Sequence, residues 1–154
     1  MNLQVTFENN RITRQRMLDV IGDWPLEELI KIPETHNNNL LWNFGHSVVT
    51  QHLLSFGVCK MELQIPMEIV NKFRKGSNAR GVEFTQQELD YFKGNVFKYT
   101  DLTEEYLNKG KFQNFSEYTT SYGATLKSIE DAISFNNIHE GLHLGYMMAL
   151  QRLL

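Results

Sequence analysis

Residues 139–143 read His139-Glu140-Gly141-Leu142-His143, the H-E-x-x-H pattern of zinc enzymes. On a helix, positions i and i+4 lie about 40° apart around the axis, so both imidazoles can reach one metal ion. Zinc proteases take a further ligand from downstream, but here the sequence runs on from His143 only to Leu154 and offers none. The third ligand is therefore expected upstream. That expectation points away from proteolysis and leaves metal-dependent hydrolysis as a lesser alternative.

Three other histidines could complete the set. His36 sits in a Pro/Asn-rich stretch that reads as an exposed loop. His52 lies about 120° around its helix from His46, so the two cannot face one site together. His46 borders the apolar stripe Trp42–Val49–Leu53 and follows Gly45, which would let a neighbouring helix come close. The metal ligands are therefore read as His46, His139 and His143, on two facing helices, as metal sites in helical bundles are built. The plainer alternative is that His139 and His143 are each a satisfied core histidine. Against it, a pair of imidazoles buried on one stripe without partners is costly, and a divalent cation would take both lone pairs. Imidazole suits zinc and nickel alike. No catalytic residue is identified; Glu140 and Asn136 are weak candidates. Glu140, at the margin of the histidine stripe, is read as a base acting beside the ligands or as a solvated or ion-paired helix carboxylate. Asn136, one turn before His139, orients a ligand or satisfies a helix neighbour.

These side chains need long helices to hold them, and the hydropathy pattern supplies them. A first helix spans about Leu3 to Ile21, its apolar set Phe7, Met17, Leu18 and Ile21 sparse toward the start, and stops near Gly22. Residues 23–38, with Pro25, Pro33 and three consecutive asparagines from Asn37, read as a connection with one short turn. A second helix, about Asn39 to Phe56, is apolar on two sides, so it is either central or shared with a partner chain. Pro66 to Gly76 reads as a short helix within a long crossover, with Pro at its first position, basic residues in its last turn and Gly at its end. Thr85-Gln86-Gln87-Glu88 is a capping box opening a third long helix that keeps its spacing until Lys109-Gly110. Residues 111–124 show no period and read as a packed loop. The last helix, about Leu126 to Leu153, carries Ile129, Ala132, Asn136, His139, His143, Met147 and Leu150 on one face. The expected architecture is all-α: a single-domain four-helix bundle over residues 1–154.

Bulk properties narrow the function. The chain has 154 residues, 42% hydrophobic and 21% charged, and a formal net charge of −3, which argues against nucleic acid or an anionic membrane as partner. No stretch approaches the apolar length of a membrane span, and Met1 to Arg16 lacks a signal-peptide core, so a cytoplasmic location is expected. Cys59 is the only cysteine and has no activating context. Lys72, Arg74, Lys75 and Arg80 form a basic patch, read either as a solvated loop or as a lid for an anionic substrate. Gly141 and Gly145 each cost about 1 kcal/mol in a helix, which suggests close packing of another helix or chain.

Two segments, Asn38-Asn39-Leu40-Leu41-Trp42-Asn43-Phe44-Gly45-His46 and Phe135-Asn136-Asn137-Ile138-His139-Glu140-Gly141-Leu142-His143-Leu144-Gly145, resemble the two signature segments of the DinB/YfiT-like family. The resemblance covers essentially the whole chain. It implies a four-helix bundle, commonly a homodimer, in which one histidine of the second helix and an H-x-x-x-H pair of the last bind a divalent metal. Carried over, those ligands are again His46, His139 and His143, and the match to the protease signature becomes incidental. Some members of the family transfer or isomerise with a low-molecular-weight thiol as cosubstrate. Three neutral imidazoles leave the ion's charge uncompensated and a coordination position open, which favours thiolate over thiol. The expected activity is thus metal-dependent transfer of such a thiol to a small electrophile, and the alternative is a non-catalytic metal-binding bundle.

Overall fold

The computed structural model describes residues 2–154. Helix α1, Leu3–Ile21, starts where the Asn2 side chain accepts from the amides of Gln4 and Val5, and stops at Gly22, whose φ of +49° suits a residue without Cβ. Its inner face runs Phe7, Asn10, Arg14, Met17, Ile21. The gap in its apolar pattern is thus filled by two buried polar residues. After one turn of helix, α2 (Leu26–Leu29), comes α3, Leu40–His52, capped by Asn39 and prolonged by a π-helical turn over Leu53–Gly57. Every residue of α3 is buried except Thr50. Its two apolar sides are both used inside this chain, because it contacts α7 and, from other directions, the elements α4, α5 and α6.

Helix α4, Met67–Phe73, is the short crossover helix, followed by Gly76 at φ +91°. Thr85 and Glu88 form the expected capping box at the head of α5, Gln86–Asn95. The expected third helix is not continuous: it breaks, and α6 spans Lys98–Asn108. Two bonds, one local and one from α1, accompany the break. The Asn95 side-chain amide donates to the Tyr91 carbonyl, and the Val96 carbonyl accepts from the buried Arg14 guanidinium. Residues 111–124 are not all loop. Strands β1 (Tyr118–Thr119) and β2 (Thr125–Leu126) pair antiparallel, Tyr118 opposite Leu126. Leu126 therefore belongs to a strand, and α7 begins later, spanning Ile129–Gln151 with Ser128 as its cap.

The bundle is formed by α1, α3, the α5–α6 pair and α7, with α7 packed along both α1 and α3. The main core joins residues of α1, α3, α4, α5 and α7, from Met17 and Ile21 through Phe44 and Phe73 to Met147 and Leu150. Gly45 makes it possible. A Cβ there would lie 2.5 Å from the Phe73 ring and 2.6 Å from that of Phe92, so only glycine lets both rings pack on α3. Gly141 and Gly145 differ: both are exposed, with nothing within 4 Å of a built Cβ, so no helix of this chain packs on them. Cys59 is buried in a satellite cluster with Phe7, Ile129 and Ile133, and burial raises its thiol pKa. No helix is long and apolar enough to cross a membrane among the described residues.

Candidate metal centre

His46 comes from the middle of α3, and His139 and His143 from consecutive turns of α7. One ring nitrogen of each lies within 4.8 Å of those of the other two. The Nε2 atoms of His46 and His139 are 3.3 Å apart. Two nitrogens in a tetrahedral shell at about 2.0–2.1 Å from an ion are separated by about 3.3–3.4 Å, so this pair has the spacing that a divalent metal requires. The structure brings the three expected ligands together. It keeps His52 apart, stacked on Phe56 at 4.4 Å with its Nε2 accepting from the Gln64 amide. His36 is half-buried beside Tyr146.

The protein also sets the tautomers. His46 Nδ1 is 2.6 Å from the Phe73 carbonyl oxygen, which can only accept, so Nδ1 carries the proton and Nε2 presents a lone pair. His143 Nδ1 is 2.9 Å from Asn43 Oδ1. The amide of Asn43 is oriented by its Nδ2, which donates to the Asn39 carbonyl at 2.8 Å, so its oxygen faces the ring. His143 therefore also holds its proton on Nδ1 and leaves Nε2 free to ligate. Such outer partners fix ring orientation and raise ligand basicity. Trp42 adds a flat support, stacking on His46 at 4.5 Å with planes 10° apart. His139 Nδ1 is buried without a hydrogen-bond partner.

Burial holds all three imidazoles in the neutral form that binds metal. Desolvation lowers the His46 pKa. It takes His143 down to about 4, helped by His46, and His139 to about 2, helped by His143, His46 and Arg14. A divalent metal fits this donor set. With the His46 proton on Nδ1, the 3.3 Å contact is a hydrogen bond when His139 carries its proton on Nε2, and a pair of facing lone pairs that a cation can bridge when it carries it on Nδ1.

Glu140 is not at the margin of this centre. It is fully buried and makes a two-bond ion pair with Arg14, Nε to Oε2 at 2.5 Å and Nη2 to Oε1 at 2.7 Å. Arg14 also donates to the carbonyls of Ser47 and Val96, and Asn136 Nδ2 donates to Glu140 Oε1 at 2.6 Å. Glu140 and Asn136 thus belong to a clamp joining α1, α3, α7 and the α5–α6 junction, and neither lines the cavity over the histidines.

That cavity, about 650 Å³, reaches His46, His139 and His143 at its floor. Leu53, Leu54, Val58, Phe135 and Leu142 give it apolar walls, and the hairpin closes one side with Tyr118, Thr120, Ser121 and Tyr122. Among the described residues no carboxylate lines it. Sequence reasoning missed Asn43, the Phe73 carbonyl and the hairpin. Asn43 had a visible signal, since it precedes His46 by three residues and so shares its side of α3. The carbonyl and the hairpin had none, because both act across long sequence separations.

A family model for the DinB superfamily matches residues 10–147, a span that contains all three histidines. No curated protein matches the chain.

Proposed function

The chain belongs to the DinB superfamily, and from that premise we propose that it is a metal-dependent enzyme that transfers a low-molecular-weight thiol to a small electrophile. The observation that carries the reading is the convergence of three neutral imidazoles, two with their tautomers set by protein acceptors, at the floor of a cavity without carboxylates. His46, His139 and His143 would hold one zinc or nickel ion. A divalent ion in a neutral shell supplies Lewis acidity and favours thiolate over thiol. The ligands sit on two packed helices, so the shell stays fixed while substrate enters and leaves. The apolar walls exclude water from the reacting groups. Glu140, locked to Arg14, is a tie of the bundle in this reading and not a base.

Cobalt substitution tests it. A small biological thiol is expected to add a sulfur-to-metal charge-transfer band in the near ultraviolet and to be conjugated to monochlorobimane faster than His143→Ala supports. If no thiol perturbs the spectrum and the variant equals the wild type, the non-catalytic metal-binding reading takes its place. A hydrolase reading requires metal-dependent cleavage of a peptide library abolished by Glu140→Gln, and none is expected.

The same reading includes a homodimer formed through the outer face of α7. Ile138, Tyr146 and Met148 are exposed there at 50%, 38% and 47%, beside Gly141 and Gly145, which leave a groove nothing in this chain fills. Light scattering is expected to give twice the chain mass for the wild type and a monomer for Gly145→Glu.

A further inference from the structure

Of the four basic residues between positions 72 and 80, three are engaged or turned away from the cavity. Lys72 pairs with Glu88 at 2.5 Å, Arg80 donates to the carbonyls of Glu34 and His36, and Arg74 does not line the cavity. Lys75 is different. Its side chain is exposed, lines the cavity wall, and makes no ion pair with any described acid. Its ammonium lies 6.0 Å from the Tyr118 ring centroid, so it stands at the mouth between the segment after α4 and the hairpin.

The backbone carrying Lys75 is fastened to the metal-site helix on both sides. Before it, the Phe73 carbonyl accepts from His46 Nδ1. After it, Ser77 Oγ accepts from Trp42 Nε1 at 3.1 Å and donates to the Lys72 and Arg74 carbonyls. Trp42 is the residue stacked on His46. The position of Lys75 relative to the three histidines is therefore set by the same two residues that hold His46. A lysine in a solvated loop needs no such fastening.

The cavity thus has one positive side chain at its mouth, five apolar walls between, and the histidines at its floor. We propose that it binds a small molecule with an apolar body and one anionic oxygen group, the body lying against Leu54, Phe135 and Leu142 and the anion meeting Lys75. The inference rests on the reading of this cavity as the substrate pocket, and it adds that the electrophile is an amphipathic anion. Charge favours it, since no carboxylate opposes an anion here. Size favours it too: about 650 Å³ lies within the range of small-molecule pockets.

Calorimetric titration of the zinc-loaded protein with three probes tests this: 4-phenylbutyrate, 4-phenylbutanol and acetate. Phenylbutyrate is expected to bind tightest, with acetate at least about tenfold weaker because it lacks the apolar body. Lys75→Met is expected to weaken phenylbutyrate about 5- to 10-fold and to leave phenylbutanol unchanged, with Lys75→Arg restoring most of the loss. Equal affinity of phenylbutyrate for the wild type and Lys75→Met overturns the proposal, since the carboxylate is then held elsewhere, for example by the metal. Equal affinity of acetate and phenylbutyrate overturns the apolar half of it. No thiol and no turnover enter these titrations, so their failure is separate from failure of the cobalt and conjugation experiment.

Discussion

Two polar clusters lie side by side on α7, and adjacent residues belong to different ones. Glu140 faces Arg14, and every nitrogen of that guanidinium donates to an oxygen of the chain: two bonds to the carboxylate, one each to the carbonyls of Val96 and Ser47. His139 faces His46 and His143, and their ring nitrogens converge on a shared centre beside open space. The first cluster is closed, with both charges completely buried and paired. In the second, the Nε2 atoms of His46 and His139 face each other at 3.3 Å with the Thr50 hydroxyl 3.3 Å from His46 Nε2, and no charged side chain closes the group. A buried charge pair whose partners are all internal ties helices together, whereas neutral imidazoles converging at a cavity floor can take a ligand that arrives from outside. The H-E-x-x-H pattern thus spans two clusters with different jobs, and its glutamate does not act on its histidines.

The largest expected effect tests the closed cluster. Arg14→Met leaves Glu140 buried without its partner and is expected to cost about 3–5 kcal/mol of stability, read by urea unfolding of the metal-free protein. The double variant Arg14→Met/Glu140→Leu should recover much of it, because no charge is then left unpaired. If Arg14→Met unfolds like the wild type, the clamp is not what holds the four elements together. Asn43→Ala probes the open cluster. It removes the acceptor that fixes the His143 tautomer and is expected to weaken metal binding about 10- to 100-fold, with little change in metal-free unfolding. A stability loss like that of Arg14→Met, with metal affinity intact, would erase the distinction between the clusters.

Gly45→Ala acts between them. The added Cβ would meet the Phe73 and Phe92 rings at 2.5–2.7 Å. Overpacking of about 1–3 kcal/mol should outweigh the gain of about 1 kcal/mol in helix propensity. Because Phe73 also supplies the carbonyl that holds His46, the variant is expected to lose both stability and metal affinity. Loss of stability alone would show that the ring can shift without its backbone.

The smallest expected effect concerns His52, a buried histidine outside the centre. Burial, with Lys98 nearby, depresses its pKa to about 4 from 6.5. The folded state therefore resists protonation while the unfolded chain takes up a proton as pH falls through 6.5. This contribution is full above about pH 6.5, declines between there and about pH 4, and levels off below. From pH 7 to 5.5 it amounts to about 1 kcal/mol. His52→Gln keeps an acceptor for the Gln64 amide and should lose that much less over the same interval in urea midpoints. An identical acid sensitivity would show that His52 is not one of its sources.

Much of this was readable from order and spacing alone. The ends of α1 follow from Asn2 and Gly22, the head of α5 from the Thr85–Glu88 box, and the side of α7 that carries both histidines from a period of 3.6 residues. These are local matters, settled by which backbone groups a nearby side chain can satisfy. His46 was also within reach from the apolar stripe it borders, although the glycine beside it admits the Phe73 and Phe92 rings and not α7. The sequence did not reveal where polar residues find partners across the fold. Arg14 and Glu140 are 126 positions apart: Glu140 read as a base or as a solvated or ion-paired helix carboxylate, Arg14 had no reading of its own, and only the packing of α1 on α7 made them one buried pair. The break before α6 involves the same pair, since Arg14 takes the Val96 carbonyl. The hairpin wall has two-residue strands, too short for any period to show. Lys75 read as one of four equivalent basic residues; the fold sets it apart by engaging Lys72 with Glu88 and Arg80 with the Glu34 and His36 carbonyls and the Asn37 side chain. Propensity and periodicity act over one or two turns of chain, and charge pairing, tautomer choice and cavity shape depend on contacts that exist only once the helices are assembled.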